Sequence, residues 1–261
     1  MNKNLCTATG NSLCVFITVS HNRPEKTIES LLSLIDSIKI SNISAYKVIL
    51  FDHSDNEDTS NLVKNRSLDV KIVKGSSDLY WSLSMHYAIK HVKLYYSSAK
   101  SLVVFNDDVV FNKDAVENLT NSFVFNDNCV LVGTVIDKYT RGVSYGGLIK
   151  REGVLGDLSF KHASLGVVTS CDTLNMNMAL IPFKIIKKYG NIDPFYFHSL
   201  GDVDYGLMLK RNNVRILSLS KHVGFCSRNN IDNTWKDSSL NRFHRLKLMQ
   251  GRKGLNYKQR Y

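Results

Sequence analysis

Two adjacent carboxylates are the residues of this chain whose positions most directly suggest chemistry. Asp107 and Asp108 come just after the apolar run at 102–105, separated from it by Asn106. Two acids at the end of a buried strand cost free energy unless a cation offsets their charge. Mg²⁺ or Mn²⁺ offsets that charge and can also bridge to a diphosphate. An aspartate pair in a turn or helix cap is the alternative that these residues alone leave open.

Three further residues have side chains suited to catalysis or metal binding. Asp202 and Asp204 open a helix that we predict over 201–212, where the helix dipole favours the ionised carboxylate that a general base needs. An N-cap and a first-turn dipole partner use the same residue types. His222 follows a strand predicted over 214–219. It is either a ligand suited to Mn²⁺ or a hydrogen-bonded interior histidine.

The first half of the chain alternates strands with helices. Apolar runs predict strands at 13–19, 46–51, 70–73 and 101–105, and helical spacing of apolar residues predicts helices at 24–38 and 79–96. This order predicts an α/β fold with a mostly parallel central sheet flanked by helices. Ligands bind beyond the carboxyl ends of such strands, so the polar segments at 20–23, 52–55, 75–81 and 106–108 should meet there.

The second half is less regular. We predict strands at 130–136, 143–149, 170–181 and 214–219, and a short helix at 182–189. Near the end, Leu240, Phe243, Leu246 and Met249 recur every three residues among basic side chains, which predicts a basic helical tail.

Composition excludes several classes of protein. The chain has 261 residues, of which 43% are hydrophobic and 22% charged, as in ordinary globular domains. Its five cysteines are odd in number and show no C-x-x-C spacing, which argues against a disulfide framework or a zinc site and fits a reducing compartment. We find no signal peptide and no apolar run long enough to span a bilayer, so we expect a cytoplasmic protein.

The net charge of +11 is concentrated at the C-terminal end. Residues 210–261 contain thirteen Lys and Arg but only two acids, so the rest of the chain is neutral. Such a block attracts a polyanion, whether nucleic acid, an anionic membrane or substrate phosphates, or it is a solvated basic surface without a partner.

Five motifs, taken in order, resemble those of a known enzyme family. They are VFITVSHNRPEKT at 15–27, VILFDHSDNEDT at 48–59, GSSDLYWSLSMHYAI at 75–89, LVVFNDDVVF at 102–111 and NIDPFYFHSLGDVDYGLMLKR at 191–211. Together they resemble the inverting family 2 glycosyltransferases with the GT-A (Rossmann-like) fold, in particular the bacterial rhamnosyltransferase-like enzymes of cell-surface polysaccharide synthesis, such as O-antigen and capsule. The resemblance implies a GT-A domain over 1–228, with a nucleotide-binding half at 13–112, an acceptor-binding half at 113–228, and a basic extension at 229–261.

The resemblance also implies roles for individual residues. Donor binding falls to Thr18, Ser20, His21, Arg23, Asp52, Asp78, Trp81 and Asp107. Asp108 and His222 are the implied metal ligands, for Mn²⁺ or Mg²⁺. Asp202 is the implied general base, and Asp204 contributes to acceptor binding. The family has a glutamate where this chain has Gly201, a departure that bears on how the acceptor is held.

The implied function is transfer of a sugar from a nucleotide-sugar donor to a glycan acceptor, often lipid-linked. The basic tail then suits peripheral contact with an anionic membrane at its inner face. A nucleic-acid-binding protein is the first rival, but no recognisable nucleic-acid module is present. A nucleotidyltransferase would carry a glycine-rich loop after the first strand, which residues 20–23 lack. A homologue that binds nucleotide without catalysis remains an alternative, because of Gly201.

Overall fold

The computed structural model describes residues 12–121, 128–151, 159–228, 231–251 and 254. The described strands are β1 Cys14–Ser20, β2 Tyr46–Asp52, β3 Lys71–Lys74, β4 Ser101–Phe105, β5 Val110–Phe111, β6 Cys129–Ile136, β7 Val143–Tyr145, β8 Gly147–Lys150, β9 Phe160–His162, β10 Thr169–Cys171, β11 Thr173–Leu174, β12 Met178–Pro182 and β13 Arg215–Phe225. The described helices are α1 Pro24–Ile40, α2 Asp58–Asn65, α3 Trp81–Tyr95, α4 Ala115–Asn121, α5 Phe183–Tyr189, α6 Gly201–Arg211 and α7 Arg242–Gln250.

One large sheet organises these elements. Its strand order is β10-β13-β6-β12-β4-β1-β2-β3, with β5 paired to β13 and β7 paired to β6. Strands β3, β2, β1 and β4 are mutually parallel, whereas β12 runs antiparallel between β4 and β6. A small antiparallel sheet, β11-β8-β9, lies beside it. The predicted α/β fold with a mostly parallel central sheet flanked by helices is confirmed.

Two apolar layers cover the two faces of the large sheet. Side chains alternate along β1, so Val15 and Ile17 point to one face while Phe16 points to the other. Helix α3 packs on the first face, and helix α1 packs on the second. The parallel strands end at one edge of the sheet, so polar residues just after them are neighbours there.

Several predicted elements in the second half were wrong in their bounds. The region 170–181 forms three strands, β10, β11 and β12, because the chain passes from the large sheet to the small one and back. The region 143–149 divides into β7 and β8 at Gly146 for the same reason. Helices α2 and α4 and strands β5 and β9 were not predicted.

The last strand is also longer than predicted. Instead of 214–219, β13 spans Arg215–Phe225, with register shifts around His222 where it pairs with β6. His222 therefore lies within β13, and the prediction that it follows this strand was wrong. Within the described part of the chain, none of the helices is both long and apolar enough to cross a membrane.

Candidate functional site

Polar side chains from several strands meet at the carboxyl edge of the parallel strands. In register, Ser20 at the end of β1 lies beside Asp52 at the end of β2. Strand β12 begins at this edge because it runs antiparallel to β4, with Met178 opposite Phe105. The residues just before β12 therefore lie beside those just after β4, a neighbourhood that sequence order alone does not indicate.

The acid pair after β4 is held by an arginine from the start of α1. The guanidinium of Arg23 forms ion pairs with both carboxylates, through Nη2 to Asp107 Oδ1 and through Nη1 to Asp108 Oδ2 at 3.2 Å. The Asp107 side chain is 1% exposed, Asp108 is 16% exposed and Arg23 is 38% exposed. Three residues predicted from sequence for donor or metal binding, Arg23, Asp107 and Asp108, are thus brought together.

A hydroxyl pair completes the setting of Asp107. The Thr27 hydroxyl donates to Asp107 Oδ2 at 3.1 Å. The Ser20 hydroxyl oxygen lies 2.6 Å from the Thr27 hydroxyl oxygen. Burial raises the pKa of Asp107 to about 6, although Arg23 opposes this shift and Asp108 adds to it. Ser20, predicted to bind the donor, is buried and is a hydrogen-bond partner of Asp107, whose pKa it lowers as Thr27 does.

Asp108 has a second neighbour that sequence reasoning missed. The Cys226 thiol, just after β13, donates to Asp108 Oδ1 at 3.5 Å. Asn177, just before β12, places its amide nitrogen 3.8 Å from the same sulfur. Burial raises the pKa of this thiol, and the charge of Asp108 raises it further, so Cys226 is a neutral hydrogen-bond donor.

Asp52, predicted to bind the donor, is bound by other residues of the protein. Its carboxylate accepts from the Lys74 ammonium at 2.9 Å, the Ser60 hydroxyl at 2.8 Å and the Ser54 backbone N–H at 3.1 Å. Burial acts to raise the pKa of Asp52, but these hydrogen bonds outweigh it and the pKa is lowered. Asp52 thus fixes the loop after β2 as an ionised, fully buried group.

The rim beside Asp52 presents histidine and amide groups. The rings of His21 and His53 stack with centroids 4.7 Å apart. Asn22 adopts a left-handed backbone with φ of 52° and exchanges hydrogen bonds with Asp55, at 2.5 and 3.0 Å. His21, predicted to bind the donor, is therefore held in a preformed loop pair at the edge.

The remaining predicted donor residues differ in position. Trp81 begins α3 and donates from Nε1 to Asn106 Oδ1 at 2.9 Å, directly beside the acid pair. Asp78 is exposed just before α3 and accepts from the Ser76 hydroxyl at 2.6 Å. Thr18 is fully buried within β1, and its hydroxyl finds no hydrogen-bond partner among the described residues. The structure therefore brings Trp81, but not Thr18, to the open edge.

Asp202, the predicted base, lies in the first turn of α6. One carboxylate oxygen accepts from Asn175 Nδ2 at 3.3 Å and from the Met176 N–H at 3.4 Å, and the other accepts from the Val203 N–H at 2.9 Å. Burial raises the pKa of Asp202, and these hydrogen bonds lower it only partly. These three donors are all neutral groups.

Gly201 is explained by how closely α6 approaches α3. A Cβ at this position would lie 2.6 Å from Ser82 Oγ and 2.8 Å from Ser82 Cβ. The preceding residue, Leu200, has φ of 70°, a left-handed conformation that costs roughly 1 kcal/mol in a non-glycine residue. A glutamate does not fit at 201 without moving the two helix starts apart.

Asp204, predicted to bind the acceptor, lies one turn into the same helix. Burial raises its pKa, and a hydrogen bond from Tyr196 together with the charge of Arg211 opposes the shift. It is half-buried and faces the segment that precedes α6.

A short segment before β12 joins the two acidic groups. Met176 N–H donates to Asp202, while the backbone carbonyl of the next residue, Asn177, accepts from the Asn106 N–H at 3.3 Å. Sequence reasoning overlooked the asparagines on either side of Met176. Two asparagines inside an otherwise apolar stretch were the available signal, because buried amides need partners.

His222, the second predicted metal ligand, has neighbours other than the acid pair. Its ring nitrogen lies 3.1 Å from Asn112 Nδ2, and its ring packs edge-on to Phe225 at 5.4 Å. Its role as a ligand stays a prediction.

A divalent cation fits the acid pair only in part. Among the described residues, no group of three or more His, Cys, Asp and Glu side chains is placed to hold a metal ion. Mg²⁺ and Mn²⁺ are, however, commonly held by one or two carboxylates together with substrate phosphates. Asp108, partly exposed, suits that arrangement, with Asp107 behind it.

Comparisons with known proteins agree with this geometry. Residues 15–189 match the family model described as glycosyl transferase family 2. A comparison with curated proteins gave no match. Among solved structures, GalNAc-T7 with UDP, GalNAc and Mn²⁺ is similar at a TM-score of 0.64 and 12% sequence identity. The match covers 83% of this chain but 43% of that one, and at this identity it shows the shared GT-A fold alone. Since the family model covers more than half of the chain, the protein belongs to glycosyl transferase family 2.

Proposed function

We propose that this glycosyltransferase moves a sugar from a nucleotide-sugar donor to a glycan acceptor, with inversion, in the synthesis of a bacterial surface polysaccharide. The observation that carries the proposal is the meeting of two acidic groups at one edge of the sheet. Asn177 contacts the segment of Asp107 and Asp108, and Met176 contacts Asp202. A donor diphosphate and an acceptor hydroxyl need groups of these kinds within one site.

On the donor side, the acid pair and Arg23 receive the diphosphate. Arg23 is a fork of donors suited to phosphate oxygens. A bound Mn²⁺ or Mg²⁺ at Asp108 supplies charge stabilisation to the leaving nucleoside diphosphate. Trp81 lies beside Asn106 and gives the donor sugar an apolar face to pack on.

On the acceptor side, Asp202 takes the proton of the attacking hydroxyl. Its raised pKa makes it a stronger base than an ordinary aspartate, while the helix dipole of α6 favours the ionised form at neutral pH. Asn175 and the Met176 N–H orient the carboxylate without adding a charge. Asp204, one turn along α6, is proposed to hold the acceptor.

Transfer of labelled sugar tests the proposal. The purified protein is incubated with UDP-, GDP- and dTDP-sugars, Mn²⁺ or Mg²⁺, and a lipid-linked glycan extract from bacteria. We expect one class of donor to label the glycan fraction, with a product of inverted anomeric configuration by NMR. Donor binding without transfer by any donor would favour the alternative, a homologue that binds nucleotide without catalysis.

We also propose peripheral contact of the C-terminal extension with an anionic membrane, where a lipid-linked acceptor resides. No residue of α7 is buried, and Phe243 and Leu246 on one side of it are 84% and 49% exposed. Arg242 and Lys247 flank these apolar side chains. An exposed helix with apolar and basic groups suits the membrane interface.

Co-sedimentation with vesicles of phosphatidylglycerol and phosphatidylcholine tests this contact. The double variant Phe243→Ser, Leu246→Ser should lose vesicle binding. The control Tyr139→Ser removes an aromatic side chain that is 84% exposed elsewhere, and it should bind as wild type does. Equal sedimentation of all three proteins would refute the membrane contact and leave the transfer reaction untouched.

A further inference from the structure

The positive charge that balances the acid pair in this structure comes from the protein itself. Arg23 reaches both Asp107 and Asp108 from the start of α1, and it is the cation that the structure places on them. One of the oxygens that it contacts, Oδ2 of Asp108, belongs to the carboxylate that would hold a divalent cation. A metal ion and Arg23 therefore compete for the same atoms.

The other two carboxylate oxygens of the acid pair already accept hydrogen bonds from the protein, so a cation that binds the pair must displace Arg23. Asp107 Oδ2 accepts from the Thr27 hydroxyl at 3.1 Å, and Asp108 Oδ1 accepts from the Cys226 thiol at 3.5 Å. All four carboxylate oxygens thus have protein donors. With 38% of its side chain exposed, Arg23 is free to leave toward the open edge, whereas Asp107 is enclosed.

We propose that Arg23 is an exchangeable counter-ion that makes metal binding depend on the donor diphosphate. Without a diphosphate, Arg23 stays on the acid pair and excludes the cation. When a diphosphate arrives, the guanidinium turns to its oxygens, and the vacated carboxylate oxygens accept the metal. This inference rests on the proposed function for its ligand, and it assigns Arg23 as a positioning residue that couples the two binding events.

The exchange predicts that Arg23→Gln changes the affinities for Mn²⁺ and for pyrophosphate in opposite directions. Mn²⁺ binding is followed by the loss of its free electron paramagnetic resonance signal, without nucleotide, on wild type and Arg23→Gln. We expect Arg23→Gln to bind Mn²⁺ alone about tenfold more tightly, since a charged competitor is gone. Pyrophosphate, titrated in the presence of Mn²⁺, should bind about tenfold more weakly to the same variant.

Two further variants keep the result interpretable. Arg66→Gln removes the same charge from an exposed position at the end of α2, and it should change neither affinity. Arg23→Lys keeps the charge but not the two-armed contact, and its Mn²⁺ affinity should fall between those of wild type and Arg23→Gln. Circular dichroism confirms that each variant is folded.

Equal Mn²⁺ affinity in wild type and Arg23→Gln would overturn the exchange. Weaker binding of both Mn²⁺ and pyrophosphate by Arg23→Gln would also overturn it, because that is the effect of a merely structural role. These readouts need neither the donor sugar nor the acceptor. The sugar-transfer assay could fail while Arg23→Gln still binds Mn²⁺ more tightly and pyrophosphate more weakly than wild type. That outcome would reject the proposed reaction and leave the exchange in place.

Discussion

The two acidic groups at the sheet edge differ in the partners that hold them. Asp107 and Asp108 share a cation, Arg23, whereas Asp202 receives hydrogen bonds from neutral donors. A cation stabilises the ionised form strongly and can be exchanged for another. Neutral donors orient a carboxylate while leaving much of its basicity. The acid pair is therefore suited to binding a cation, and Asp202 is suited to accepting a proton.

The largest effect expected from this contrast is on turnover. Asp202→Asn keeps the size and the hydrogen-bond acceptor but removes the base, so the turnover number should fall roughly 10²–10⁴-fold. Donor affinity should stay within about twofold, since the acid pair is untouched. Steady-state transfer rates and donor titrations measure the two quantities. Asp172→Asn, which alters a surface acid paired with Lys210 at 3.4 Å, is the matched control.

The contrast depends on α6 keeping its close approach to α3. Gly201→Ala places a methyl group against Ser82, and we expect it to lower the free energy of unfolding by about 1–3 kcal/mol. The cost should be smaller in a Ser82→Gly background, because the clash is with that side chain. Urea denaturation of the four proteins gives the coupling, and equal costs in both backgrounds would refute the packing account of Gly201.

Local sequence pattern encodes the position of the first-half strands but not the sheet that each second-half strand joins. The first-half strands were predicted to within a residue or two, as at 46–51 for Tyr46–Asp52, because buried parallel strands are continuous apolar runs. The region 170–181 is just as apolar, yet it changes sheets twice, and apolar continuity does not record which sheet a strand joins.

The same limit applies to the site. Asp107 and Asp108 were recognisable because charge is costly after a buried strand. Their partner Arg23 is 84 residues away from Asp107, and Cys226 lies 118 residues from Asp108, so no local pattern connects them. Asn175 and Asn177 were overlooked because the antiparallel direction of β12, which brings them to the edge, appears only in the fold.

A smaller effect is expected on the pH dependence of the rate. Because the base must be ionised, kcat/KM should fall as the pH drops through the pKa of Asp202, which burial raises above that of an ordinary aspartate. Asn175→Ala removes a hydrogen bond that lowers this pKa, so the acid limb should move to higher pH. Asn112→Ala removes an amide that contacts His222 instead and should leave the limb in place.

The smallest effect is on stability. A raised carboxyl pKa contributes stability below the pKa of the unfolded chain, and that contribution is lost as the pH rises through the folded pKa. At pH 7, Asp202→Asn should therefore unfold at a higher urea concentration than wild type. Burial also raises the pKa of Asp107, to about 6, so the same linkage applies there, but this variant loses the ion pair with Arg23 and we expect a smaller gain. Equal behaviour of the two variants would contradict the contrast.

The most direct test of the account is whether the acid pair binds the diphosphate of the donor independently of Asp202. Calorimetric titration of UDP, GDP and dTDP, each with Mn²⁺ and with EDTA, is made on wild type, Asp108→Ala and Asp202→Asn. We expect one nucleotide to bind to wild type with Mn²⁺ and to bind equally well to Asp202→Asn, whereas EDTA or Asp108→Ala should weaken its binding about tenfold or more. Absence of binding by all three nucleotides, or binding indifferent to Asp108, would contradict it.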